Sequence, residues 1–232
     1  MFQIITLFIL LSTIMSANEQ IILVISENFD ASRAKLFTFE KKASHYHKVF
    51  EAFDVNLGRS GLGWGEGVQT IEHRKDEPQK REGDGRAPSG IFSLGNAFGY
   101  AKTSTSKLPY MYADKELVCV DDVGHKDYNK VLHVRNKNSL KSYENMHRKD
   151  NLYEIGVIVK HNEKNIPSHG SCIFLHVERN ATAPTAGCTS MPKEKLSQLI
   201  HWLDATKSPI LIQIPQQYYE DILKIYPQLL IQ

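Results

Sequence analysis

Cys188 and His176 are the residues whose types and spacing could do chemistry in this chain. Cys188 sits in Pro184-Thr185-Ala186-Gly187-Cys188-Thr189-Ser190-Met191, and His176 lies in the apolar run Ser171–Val177. An imidazole beside a thiol can make a thiolate, which attacks a carbonyl while nearby N–H groups hold the oxyanion. Alternation along 171–177 puts Cys172, Phe174 and His176 on one face and Ile173, Leu175 and Val177 on the other. The loop Glu178 to Gly187 is long enough to return Cys188 to the end of that strand. A helix opening after Met191-Pro192 would place partial positive charge near the thiol. Two plainer readings compete. His176 can be a core histidine and Cys188 a small buried hydrophobe. His169, Cys172, His176 and Cys188, at intervals of three, four and twelve, can also be read as a zinc set. Strand alternation opposes that set, because 169 and 172 fall on opposite faces.

The elements that must position this pair are mostly strands. Ile21–Ser26, Ala34–Phe39, Tyr46–Phe53, Ile91–Leu94, 115–120, 155–160 and Ile210–Ile214 read as β from their alternation and their β-branched and aromatic content. Leu196, Leu199, Ile200 and Leu203 give Pro192–Ala205 one apolar helical face. Tyr218–Ile225 suits a short terminal helix, and Ser139 or Ser142 could cap another over 139–148. Glycines crowd 58–67, and Arg81–Gly90 is turn-rich, with Asp84 set for an Asx turn and Gly85 for a positive φ. That loop lacks the GxxxxGK[ST] order of a phosphate loop. No repeat or low-complexity linker divides the chain, so a single domain over 18–232 is expected, with a mostly β, α+β fold.

Of the 232 residues 41% are apolar and 23% charged, and the formal net charge is +2, too mild to point to nucleic acid. Residues 1–17 (MFQIITLFILLSTIMSA) carry no charge and are apolar from Ile4 to Leu11. That stretch is shorter than the ~20 residues of a bilayer span, which suits a secretory signal peptide better than an anchor. No later segment suits a span. The expectation is export to the periplasm or cell envelope, where a disulfide persists. The sequence carries no signature of a particular oligomeric state.

The segments Gly170-Ser171-Cys172-Ile173-Phe174-Leu175-His176 and Pro184-Thr185-Ala186-Gly187-Cys188-Thr189 resemble the catalytic signature of the L,D-transpeptidase (YkuD-like) domain family, in its secreted bacterial branch. The runs 81–92, Ala97-Phe98-Gly99-Tyr100 and 156–162 add to the resemblance, which extends over about 21–215. It implies a YkuD-like fold of mixed β-sheets with a few flanking helices. It also implies cysteine-dependent acyl transfer on peptidoglycan stem peptides, without a cofactor or metal. Cys188 would be the nucleophile, forming a thioester, with His176 as its base and the backbone of Gly187 and Cys188 as oxyanion donors. Ala186 stands where the commoner form has His, which leaves the acyl acceptor open.

Within that reading Arg179, Thr185 and Tyr100 are substrate-binding candidates. The group orienting His176 is a backbone carbonyl, Asn162 or Ser168. An L,D-carboxypeptidase or other peptide hydrolase of the same fold is the nearest alternative, and a non-catalytic wall-binding module the next. An exported enzyme that uses a thiol must keep it unpaired, so a bridge among the three cysteines would join Cys119 to Cys172. Two separately buried thiols are the other possibility.

Overall fold

A computed structural model describes residues 18–231, so the leader expected over 1–17 lies outside the described residues. Its strands are β1 (Gln20–Ser26), β2 (Arg33–Lys42), β3 (His45–Lys48), β4 (Phe53–Asn56), β5 (Leu62–Trp64), β6 (Ala87–Gly99) and β7 (Tyr110–Tyr112), followed by β8 (Leu117–Cys119), β9 (Val131–His133), β10 (Glu144–Asn145), β11 (Ile155–Val159), β12 (Phe174–Val177), β13 (Thr189–Met191) and β14 (Ile210–Pro215). Two α-helices, α1 (Lys193–Trp202) and α2 (Tyr219–Ile225), lie either side of β14 in the chain.

All seven residues of β1 are buried. A strand so placed needs partners on both edges and apolar cover on both faces. It has both partners, pairing antiparallel with β2 and parallel with β14. Continuing through β6, β11, β12, β13 and β4 back to β2, the hydrogen bonds close an eight-stranded barrel. The open mixed sheets implied by the L,D-transpeptidase resemblance are therefore not the fold of this chain, because β1 is paired on both sides and the ring closes there. Leu196, Leu199 and Ile200 of α1 bury the expected apolar stripe in the main core.

Two local expectations are also corrected. Residues 139–148 do not start a helix. A 3₁₀ turn spans Lys137–Ser139, and Glu144 and Asn145 then pair with β8. The stretch has no helical apolar repeat; Leu140 and Met146 are its buried apolar residues. The strand expected over 46–53 breaks after Lys48, where Thr38 takes the N–H groups of Val49 and Phe50 on its carbonyl and hydroxyl oxygens.

The small sheet β10-β8-β9 lies outside the barrel path. Cys119 at the end of β8 is disulfide-bonded to Cys172, two residues before β12. Around the bridge Phe98, Leu117, Met146, Tyr153, Phe174 and Cys188 form a second apolar cluster joining sheet to barrel. Asn129 adds a polar staple, donating from Nδ2 to the carbonyls of His161 and Asn162 and accepting from Cys172 N–H. The bridge spans 53 positions in sequence, and loop-closure entropy then gives it about 4 kcal/mol. A Cys119→Ala/Cys172→Ala double variant should lose stability of that order in urea denaturation. An unchanged midpoint and slope would show that the cluster holds the sheet without the bridge.

Candidate functional site

A cavity of about 630 Å³ opens where the small sheet faces the barrel, and both Cys188 and His176 line it. Three structures make its walls. The barrel supplies Ile173, His176, Cys188 and Ser190, together with the loop residues 183–187. The turn after β5 supplies Lys80, Glu82 and Gly83, and the small-sheet side supplies Asp121, Glu144, Arg148, Leu152 and Tyr153.

The strand expected over Ser171–Val177 forms only over Phe174–Val177, and Cys172, at φ 57°, lies in the turn before it, yet the two faces still part as expected. Ile173 and Leu175 join the main core, while Cys172 and Phe174 join the cluster on the cavity side. Residues 178–187 return the chain so that β13 runs parallel to β12, with His176 opposite Ser190. The strand β13 thus stands between Cys188 and α1, and no helix opens directly on the thiol.

Cys188 is unpaired and buried. Its sulfur accepts from Phe174 N–H at 3.3 Å, and its thiol donates to the Cys172 carbonyl at 3.5 Å. Burial pushes the thiol up to about 12, and the Glu144 carboxylate adds to this. The Phe174 N–H and Lys80 favour the thiolate but do not overcome burial. His176 is driven the other way, down to about 4, mainly by burial. Its Nδ1 bonds the Val177 carbonyl at 2.8 Å, which fixes the ring against the strand. At neutral pH the pair is a protonated thiol and a neutral imidazole, with no hydrogen bond between them among the described residues. The Gly187 N–H is already given to Thr185 Oγ1 at 3.0 Å.

The expectation of cysteine-dependent acyl transfer is corrected on these grounds. Cys119 and Cys172 are consumed in the disulfide, and the remaining thiol is held protonated without a thiolate–imidazolium dyad. A hydrolase of the same chemistry falls with it, since it needs the same thiolate. The disulfide also removes Cys172 from the zinc set considered above. No group of three or more His, Cys, Asp or Glu among the described residues is placed to hold a metal ion.

The other candidates have definite places. Thr185 lines the cavity and donates to the Cys188 carbonyl at 2.6 Å, so it fixes the turn that carries the thiol. Arg179 is exposed at the rim, 4.0 Å from Asp150. Tyr100 does not line the cavity. It stacks on His147 and clasps Arg148, donating to its carbonyl and accepting from its N–H. Asn162 holds the loop before Cys172, donating to the carbonyls of Ile166 and Gly170. Ser168, at φ 65°, accepts from Glu82 N–H through its carbonyl.

Several residues of the site carried no signal in the sequence. Tyr153 is buried against His176, with ring centroids 5.2 Å apart, and donates to Glu144 at 2.8 Å. Glu144 is raised by burial, which that hydrogen bond opposes. Lys80, 4% exposed, bonds the Arg81 carbonyl and Asp84, and Asp84 takes Arg86 N–H in the expected Asx turn. Glu82 accepts from Ser171 and Tyr128. These groups come from distant segments, so only the tertiary fold brings them together.

No family model matches the chain. The curated proteins contain no match. Among solved structures, the crystal structure of the helical cell shape determining protein Pgp2 from Campylobacter jejuni is similar at 12% identity with a TM-score of 0.42. The match covers 84% of this chain and 48% of that protein, so this chain spans about half its length.

The protonation states give two measurable consequences. A thiol near 12 holds about 10³-fold less thiolate at pH 7 than an ordinary cysteine near 8.5, so Cys188 should alkylate about that much more slowly in the native protein. Labelling at the rate of a free thiol would contradict the assignment. His176 and His161 are both lowered from 6.5 to about 4, by burial first. The unfolded chain therefore binds more protons between pH 6.5 and 4, and stability should fall as pH drops through that window. His176→Gln should make the slope in pH-resolved denaturation shallower, because it removes one of the two histidines lowered by burial. An unchanged slope would show that His176 does not titrate in this way.

Proposed function

We propose that this protein is exported to the cell envelope and binds short peptides that carry both free carboxylates and an ammonium group, peptidoglycan stem peptides being the class it serves. The observation that carries this reading is the two-signed lining of the cavity. Arg59, Lys80, Arg148 and Arg179 contribute positive charge, and Glu82, Asp121 and Glu144 contribute carboxyl groups. Asp121 has a buried carboxylate oxygen without a hydrogen-bond partner, an arrangement that favours a donor arriving with a ligand. Apolar Ile173, Leu152 and the ring of Tyr153 also line the cavity and suit a peptide backbone and its alanyl methyl groups. Export is supported by the charge-free apolar run at 1–17 and by a disulfide that an oxidising compartment preserves. No helix among the described residues is long and apolar enough to cross a membrane.

Charge-assisted hydrogen bonds are each worth ~1.5–3 kcal/mol, so losing one weakens binding by about tenfold or more. Asp121→Asn and Arg179→Ala should each weaken a tetrapeptide stem by about that factor in calorimetric titration. Amidating the ligand's carboxylates should reproduce the Arg179 loss, and acetylating its side-chain amine should reproduce the Asp121 loss. Equal affinity for the charged and the neutralised peptides would overturn the proposal.

A further inference from the structure

Asn180-Ala181-Thr182 is the single Asn-x-Ser/Thr sequence, with x other than proline, among the 232 residues. That pattern is the acceptor for N-linked glycosylation when it lies on an accessible loop of an exported protein. All three residues are exposed, on the loop between β12 and β13. The loop is pinned at both ends: Glu178 N–H donates to the Met191 carbonyl, and Thr185 N–H to the Leu57 carbonyl. At the tip, Asn180 Oδ1 accepts from Thr182 N–H at 3.0 Å and from the Thr182 hydroxyl at 3.3 Å. The main chain is held as well, since the Asn180 carbonyl accepts from Asn56 Nδ2 at 3.1 Å. The one polar atom of the Asn180 side chain left without a partner among the described residues is Nδ2, the atom that would take a sugar.

From this arrangement we infer that Asn180 is a site of N-linked glycosylation in the folded, exported protein. The donor class is an oligosaccharide linked through pyrophosphate to a polyprenyl lipid. The bond from Nδ2 to the anomeric carbon forms as the bond from that carbon to the pyrophosphate oxygen breaks. The electron pair leaves with the lipid pyrophosphate, and the displaced amide proton passes to a base of the transferase. No oxidation is involved. Because Arg179 and Ala183 line the cavity, the glycan stands at its rim, away from the buried floor around Cys188.

The inference rests on the export reading, and the test separates the two. The full chain is expressed in a bacterium supplied with an oligosaccharyltransferase and the lipid-linked donor, and periplasmic protein is analysed by intact mass and peptide mapping. One glycan increment on Asn180 is expected in the wild type and in Thr182→Ser, and none in Asn180→Gln or Thr182→Ala. An unmodified Asn180 in periplasmic protein with the Cys119–Cys172 bridge formed overturns the site. Retention in the cytoplasm instead counts against export. In that event, purified folded protein is incubated with membranes holding the same transferase and donor. Modification at Asn180 there supports the site, and its absence while a short acceptor peptide is glycosylated in the same tube overturns it.

Discussion

The junction between the small sheet and the barrel is the constraint on which the rest of the site depends. Glu144 lies opposite Cys119 in the β8–β10 pairing, and Cys119 is covalently tied to Cys172 beside β12. The carboxyl on the cavity wall and the residues of the barrel floor are thus placed by one short run of strand and bridge. Without it the sheet would be held by the aromatic cluster of Phe98, Tyr153 and Phe174 and by the side chains of Asn129, Tyr128 and Tyr153. Those contacts are directional but not covalent, and a loosened sheet would move Asp121 and Glu144 away from Cys188.

The same junction sets the electrostatics. Closing an apolar cluster over Cys188 and His176 removes the water that would stabilise a thiolate or an imidazolium. Glu144 then works against the thiolate, while its own charge is resisted by burial. Charge survives where solvent or hydrogen-bonded partners reach it. Lys80 is held by Asp84 and a backbone carbonyl, and Arg148 and the exposed Arg179 by Asp150. A neutral floor under a charged wall orients a ligand well and activates a nucleophile poorly.

Much of the local structure was legible in the residues, and little of the long-range assembly was. The run of aliphatics at 21–25 and the apolar stripe of α1 dictate their elements, because burial pattern and period agree there. Phe174 and His176 share a face by strand geometry, whereas Cys172, at φ 57° before the strand, is brought to the same side by its turn. Closure of the barrel depends on β1 meeting β14, nearly 190 residues later, and no local pattern encodes that register. The strand β13 has three residues and begins two positions after a glycine at φ 151°, so its propensity is faint beside the strong helix that comes after it. The resemblance of 184–189 to a nucleophile motif spoke only of residue types in order. Whether a cysteine becomes a thiolate is decided by the dielectric around it, which comes from Phe98, Tyr153 and Phe174 on other segments.

Gly187 shows how tightly the turn before the thiol is determined. At φ 151° a Cβ there would stand 2.9 Å from the Arg86 carbonyl, and Lys80 Nζ would lie 3.7 Å away. A side chain would push the 80–86 turn off the 184–188 turn, and with it the buried ammonium of Lys80. Thr185 draws the same turn inward, giving its hydroxyl to the Cys188 carbonyl while taking the Gly187 N–H. The Thr185 hydroxyl and the Gly187 N–H are therefore both spent on holding its shape. The glycine that reads in sequence as room for an oxyanion is needed for close packing of two backbones, and the ligand-facing work falls to the charged side chains above it.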